Sequence, residues 1–212
     1  MLNIGGEKIA KRLPNGLIVT HGKPKEKSLY LTFDDGPNES FTVSICELLE
    51  KHDAKATFFC VGKSIEQNPE IARYLVEKGH LLANHSYNHL SFKTLTLQQQ
   101  LAEADDCQTK IESICPGLPK IFRAPQGQLS PALLLKLKSQ GWKIAHWSFD
   151  SLDYLQKSLE VQLEVFREKA VNSGDVLLFH DDNQIAIDIL EVLLPEWQQQ
   201  GFKFPTISEL IG

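Results

Sequence analysis

The run Ser28-Leu-Tyr-Leu-Thr-Phe-Asp-Asp-Gly-Pro37 carries strand-forming residues straight into two adjacent carboxylates, Asp34 and Asp35, and then a turn. Two ionised carboxylates side by side repel, so the pair is costly unless a cation takes one of them or the two divide roles. Asp-Asp-Gly is also an ordinary surface turn, and other residues have to separate the two readings. His85-Ser-Tyr-Asn-His89 supplies two imidazoles four positions apart, one helical turn, a spacing that lets both point at one cation. Alone, such a histidine pair is often surface decoration. Beside the carboxylates, two His and one Asp make a ligand set that leaves positions open for water and substrate, as a catalytic metal requires and a structural one does not.

The apolar pattern supplies the elements that position these groups. Strands are predicted over 28–33, 56–61, 80–84, 120–124, 142–148 and 175–179, with a weak seventh over 202–206. Between them the periodicity predicts helices: Ser40 to near His52, Pro69 to Gly79, a long one behind the capping box Thr96-Leu-Gln-Gln99, and Ser130-Pro131 to Gly141. Another begins at Ser158, and the last, through Ile185, Ile189 and Leu193, is expected to bend or break at Pro195.

Strand alternating with helix implies a parallel sheet covered by helices. That many units in 212 residues favours an α/β fold of the distorted (β/α) barrel kind with about seven parallel strands, an open doubly wound sheet being the alternative. The unusual polar residues then gather at strand carboxyl ends: Asp34 and Asp35, His85 and His89, Arg123, Asp150 and Asp153, and His180. In a barrel those ends share one face.

Composition narrows the class. Hydrophobic residues at 42% and charged residues at 23% describe an ordinary globular chain, read as one domain over 28–212 behind a lead-in of residues 1–27. The lead-in carries a turn signal at Pro14-Asn-Gly16 and a possible short strand over 17–20. A net charge of -5 offers no basic footprint, so no nucleic-acid partner is expected. No glycine-rich dinucleotide fingerprint follows any strand, and Cys46, Cys60, Cys107 and Cys115 form no Cys-x-x-Cys pair; Cys60 reads as a buried thiol. No segment reaches the length of a membrane span, and no apolar run of signal-peptide length follows Lys8, Lys11 and Arg12. As it stands the sequence reads as cytoplasmic, or extracytoplasmic if an export segment has been removed.

Thr32-Phe-Asp-Asp-Gly-Pro37, Asn84-His-Ser-Tyr-Asn-His89, Arg123-Ala-Pro-Gln-Gly127, Asp150-Ser-Leu-Asp-Tyr154 and Leu178-Phe-His180 resemble, in order, the five motifs of the polysaccharide deacetylases. These are the NodB-homology enzymes of carbohydrate esterase family four. The resemblance implies a divalent metal, usually zinc, with cobalt, nickel or manganese as other occupants, held by Asp35, His85 and His89. It implies Asp34 as general base towards a metal-activated water, and His180 as the acid that protonates the leaving amine. Arg123 and Asp150 match the ion pair that orients the base and tunes the acid, and the backbone N–H of Gln126 matches an oxyanion donor. Leu178 and Trp147 would wall the acetyl pocket.

Two positions depart from the family: Gln126 stands where an aromatic is usual, and Tyr154 where Trp is usual, which bears on sugar recognition. The implied activity is removal of N-acetyl groups from N-acetylglucosamine units of a carbohydrate substrate such as peptidoglycan or chitin. An O-acetyl xylan esterase, an amino-sugar deformylase and a non-catalytic carbohydrate-binding barrel are the alternatives.

Overall fold

The computed structural model describes residues 17–24 and 26–211. Tyr30–Asp34 forms β1, a strand with every residue buried, as expected where both faces of a parallel sheet are covered. Ala56–Cys60 (β2), Leu81–Asn84 (β3), Ile121–Phe122 (β4) and Lys143–Ile144 (β5) extend the sheet on one side of it, and Val176–His180 (β7) with Phe149–Asp150 (β6) on the other. The order is β5-β4-β3-β2-β1-β7-β6, and all six pairings between these strands are parallel.

Strands β5 and β6 lie at opposite edges of this sheet, yet only five residue steps separate Ile144 from Phe149. An extended chain covers at most about 17 Å in that distance, so the sheet has to curl until its edges approach. The lead-in enters the remaining gap. Val19 N–H donates to Ile144 O (2.8 Å), His146 N–H donates to Val19 O (2.7 Å), and Gly22 N–H donates to Gly174 O (2.8 Å). The expected strand over 17–20 is thus a single bridge to Ala145, while Pro14–Gly16 lies outside the described residues.

Side chains on β1 alternate between two environments. Leu31 and Phe33 join the layer packed under the helices, together with Phe58, Phe179 and Trp197. Tyr30 packs inside the barrel with Phe59, Leu178 and Trp147. Strand period therefore sends Thr32 and Asp34 to the interior along with Tyr30. The helix-side layer is rich in rings: Phe33 stacks on Phe58 at 4.9 Å and lies 5.8 Å from Phe179. Phe58→Ala should accordingly cost about 3–5 kcal/mol in urea unfolding; a loss under about 1 kcal/mol would contradict this packing.

The helices are Thr42–Lys51 (α1), Gly62–Gln67 (α2), Pro69–Glu77 (α3), Leu97–Ile114 (α4), Pro131–Ser139 (α5), Leu159–Glu168 (α6) and Gln184–Gln199 (α7). Thr96 and Gln99 form the expected capping box, and Ser130 Oγ accepts from Leu133 N–H at 3.1 Å. Four expectations are corrected. Of the expected strand 142–148 only Lys143–Ile144 is a strand, and the next one, Phe149–Asp150, follows at once on the opposite edge, because the curl brings both edges within the chain's reach. Residues 202–206 form no ladder: Lys203 bonds Leu29 and Lys27, but Pro205 has no N–H to continue. Helix α7 is not broken at Pro195 but runs on to Gln199, its buried face held by Leu190, Leu194 and Trp197. Ser40 does not cap α1, which begins at Thr42. Helix α2 was not anticipated, since Gly62 reads as a stop. Its missing Cβ instead admits the Tyr87 ring and the backbone of Cys107. Among the described residues, no helix is long and apolar enough to cross a membrane.

Candidate active site

Asp34 ends β1 facing the barrel interior, 4% exposed. Its Oδ1 accepts from Arg123 Nη1 at 2.6 Å. The guanidinium is wholly buried; Nη1 also donates to Thr32 Oγ1 (2.9 Å), Nη2 donates to His146 O (2.9 Å), and the group lies 3.9 Å from the centre of the Phe59 ring. Burial by itself would raise the Asp34 pKa. Arg123, then His85 and His180, outweigh it and hold the carboxyl below its ordinary value. Asp34 is therefore an ionised acceptor in a dry setting.

Asp35 follows with a left-handed backbone (φ 82°), and its Oδ1 and the Asp34 Oδ2 both lie 3.5 Å from the same His85 Nε2. Gly36 comes next because a Cβ there would run into the Asp181 carboxylate. Asp35 Oδ1 lies 3.1 Å from His89 Nε2 and 3.5 Å from His85 Nε2. The ligand atoms of these three residues all fall within 4.8 Å of one another, the one such group found among the described residues.

His85 Nδ1 lies 2.8 Å from the Arg123 carbonyl, which can only accept, so Nδ1 carries the proton and the Nε2 lone pair faces Asp35. Burial also pushes the His85 pKa down, favouring the neutral form that a metal needs. Asp35 Oδ1 is buried without a hydrogen-bond partner, and such an orphan is stabilised by a cation between it and the two imidazoles. The donor set fits a metal. The pair's geometry differs from the expectation in one respect: residues 85–90 form a non-helical loop, with Ser86 (φ 70°) and His89 (φ 54°) left-handed, and the loop rather than a helical turn brings the rings together.

His180 ends β7 next to Asp34 in register. Its Nδ1 and its backbone N–H both donate to Asp153, each at 2.8 Å. Burial opposes a charge on this ring, but the Asp153 hydrogen bond and charge, with Asp34 and Asp35 behind them, raise its pKa to about 10. The ring lies nearly perpendicular to that of Tyr154, which is 44% exposed, at a centroid distance of 5.5 Å.

Here the expected pairing is corrected. Arg123 joins Asp34, and Asp153 rather than Asp150 buttresses His180. Asp150 Oδ1 accepts from Leu152 N–H at 3.0 Å, and burial raises its pKa. Asp150 ends β6 and Asp153 follows it, and the choice between them is made by the left-handed Leu152 (φ 59°), a turn that no residue type announces. His180 also does not bond Asp181, whose Oδ2 accepts from the Thr42 hydroxyl at 2.5 Å and whose pKa burial lifts to about 7.

A cleft of about 210 Å³ is lined by every residue singled out from the sequence except Arg123, which lies behind Asp34, and Asp153, which lies behind His180. Leu178 and Trp147 are nearly buried walls, 4% and 8% exposed. Gln126 has a left-handed backbone (φ 53°), and its side-chain oxygen accepts from Gln128 Nε2. A larger depression of about 920 Å³ runs past Lys23, His52 and Phe202 at the other end of β1, away from these ligands. The small cleft thus combines an ionised acceptor, a trio able to hold a metal ion and an imidazolium donor.

The chain is similar to known proteins over most of its length. Residues 21–145 match the family model described as polysaccharide deacetylase. A peptidoglycan-N-acetylglucosamine deacetylase of Bacillus cereus is 30% identical over 203 residues, spanning 93% of this chain and 94% of that protein. A chitooligosaccharide deacetylase of Azorhizobium caulinodans is 32% identical over 157 residues, 74% of each. Among solved structures, the Bc1960 peptidoglycan N-acetylglucosamine deacetylase superposes with a TM-score of 0.87 at 25% identity, covering 93% of this chain and 96% of that one.

Proposed function

The chain belongs to the polysaccharide deacetylase family, and on that footing we propose that it is a metal-dependent hydrolase that removes N-acetyl groups from N-acetylglucosamine units of peptidoglycan- or chitin-type saccharides. The observation that carries the reading is the convergence of Asp34, the Asp35, His85 and His89 trio, and His180 on one cleft. The names of the relatives point to the same bond, an acetamide on a sugar.

Asp35, His85 and His89 would hold one divalent ion, zinc by the softness of the imidazole donors though cobalt, nickel and manganese suit the same set, and when bound it supplies Lewis-acid polarisation of the acetyl carbonyl and acidifies water. Asp34, kept ionised by Arg123, accepts a proton from the attacking water. The water oxygen bonds to the acetyl carbon, and the Gln126 N–H donates to the oxygen that becomes negative. His180 then gives its proton to the departing nitrogen, the C–N bond breaks, and acetate and a free amine leave. Leu178 and Trp147 shape the pocket to a methyl group, and Tyr154 offers a ring face to the sugar. A peptidoglycan substrate would require the chain to act outside the cytoplasm.

Acetate release from N-acetylglucosamine oligomers and from peptidoglycan, set beside acetylated xylan, tests the reading. Release from the amides is expected to dominate; release from xylan alone would replace this reading with an O-acetyl esterase. Asp153 supplies a further test. Its carboxylate stabilises the imidazolium, so Asp153→Asn should lower the His180 pKa from about 10. The protonated acid is then lost at lower pH, and the alkaline limb of kcat moves towards acid, with a fall of about 10²-fold at pH 8. An unmoved limb would remove Asp153 from the mechanism.

A further inference from the structure

The 85–90 loop places both imidazoles, so whatever fixes its backbone fixes the metal site. Every amide from His85 to His89 has an identifiable acceptor. His85 N–H donates to Cys60 O at 3.0 Å. Ser86 N–H donates to Asn84 Oδ1 at 3.0 Å, and His89 N–H to Ser86 Oγ at 3.1 Å. The two in the middle, Tyr87 at 3.1 Å and Asn88 at 2.7 Å, both donate to one atom, Oε2 of Glu103 on helix α4. Glu103 Oε1 accepts from Asn88 Nδ2 at 2.8 Å, so the whole carboxylate is turned onto this loop. On the other side, Gly62 and Lys63 N–H donate to the carbonyls of Ser86 (3.0 Å) and Tyr87 (2.9 Å).

Glu103 is 9% exposed, and among the described residues its carboxylate meets amide donors and no cationic side chain. A buried charge kept on amide donors alone is expensive unless the donors are held in place for it. It faces a loop with two left-handed non-glycine residues, Ser86 and His89, a conformation that persists only when its surroundings over-determine it. Helix α4 also anchors the loop's root, where Asn84 Nδ2 donates to Ala104 O at 2.8 Å.

We propose that Glu103 is a positioning residue for the metal site: its buried carboxylate gathers the Tyr87 and Asn88 amides and so holds His85 and His89 at the spacing that one ion requires. The inference rests on the metal-site reading above. It assigns a role to a residue that touches neither the cleft nor the ligand atoms, and that lies on a helix whose sequence otherwise reads as an amphipathic cover.

The test is the zinc dissociation constant, measured by competition with a chromophoric chelator, together with the melting temperature of the metal-free protein. Glu103→Ala should weaken zinc binding by about 10–100-fold, the range found when a partner behind a ligand is removed. Glu103→Gln preserves the length and one acceptor oxygen for the two amides, and should recover most of that loss. Asp105→Ala removes an exposed charge from the same helix and should leave affinity unchanged. Should Glu103→Ala not fold, Glu103→Asp, one methylene too short to reach, carries the same expectation.

A Glu103 variant that binds zinc like the parent, with only its melting temperature lowered, would overturn the inference and leave the metal site standing. Equal losses in Glu103→Ala and Asp105→Ala would assign the effect to net charge and overturn it as well. A parent protein that binds no zinc, cobalt, nickel or manganese would remove the metal-site reading itself.

Discussion

Asp34→Asn is expected to lower kcat for acetate release by about 10³-fold while leaving metal content close to that of the parent protein. The magnitude is that of removing a positioned general base. The direction follows from the division of labour between the two carboxylates. Asp34 is turned to Arg123 and faces His85 at 3.5 Å, whereas Asp35 Oδ1 sits between both imidazoles. Asp35→Ala should therefore lose metal and turnover together. Near-normal turnover in Asp34→Asn would remove it as the base, and loss of metal there would show that the two roles are not separate. Acetate release and metal content, measured on the same preparations, distinguish these results.

Arg123→Met should carry a stability loss of about 3–5 kcal/mol, because it strands a carboxylate in the barrel interior. Arg123 is wholly buried, and the Asp34 side chain is 5% exposed, so solvent cannot take the guanidinium's place. The pH dependence has a definite sign. In the parent the Asp34 pKa is held below its ordinary 3.8, so the stability from the pair is present above that value and lost as pH falls through the folded value. In the variant, burial raises the carboxyl instead, and protonation relieves it. The difference between parent and variant in urea unfolding should thus be greatest near pH 7 and shrink towards pH 4. A difference independent of pH would mean that lost packing against Phe59, rather than the unpaired charge, sets the cost.

The barrel was legible because its strands are short apolar runs ending in chemistry. Leu31 and Phe33 pack under the helices while Thr32 and Asp34 face inward, the period of two that the sequence carries. Such a pattern identifies a strand but not its partner, which is why 142–148 reads as one strand although Lys143–Ile144 pairs at one edge and the chain then crosses to pair Phe149–Asp150 at the other. The site was legible as a set of residue types at strand ends. Which carboxylate meets which base was not, because Asp150 and Asp153 differ only through the left-handed Leu152 between them. Asp181 and Glu103 read as ordinary acids for the same reason: their partners, Thr42 and the Tyr87 and Asn88 amides, are brought to them by the fold. Gly36 and Gly62 read as turn and stop signals, and their tight contacts appear only when distant segments close on them.

The account stands most directly on the Asp35, His85 and His89 site. Chelator-treated protein, titrated with zinc while bound metal and acetate release from N-acetylglucosamine oligomers are followed together, tests it. The predicted result is activity lost on chelation and regained in step with metal binding, reaching its plateau at about one ion per chain. Full activity in protein shown to hold no metal would contradict the account at its centre.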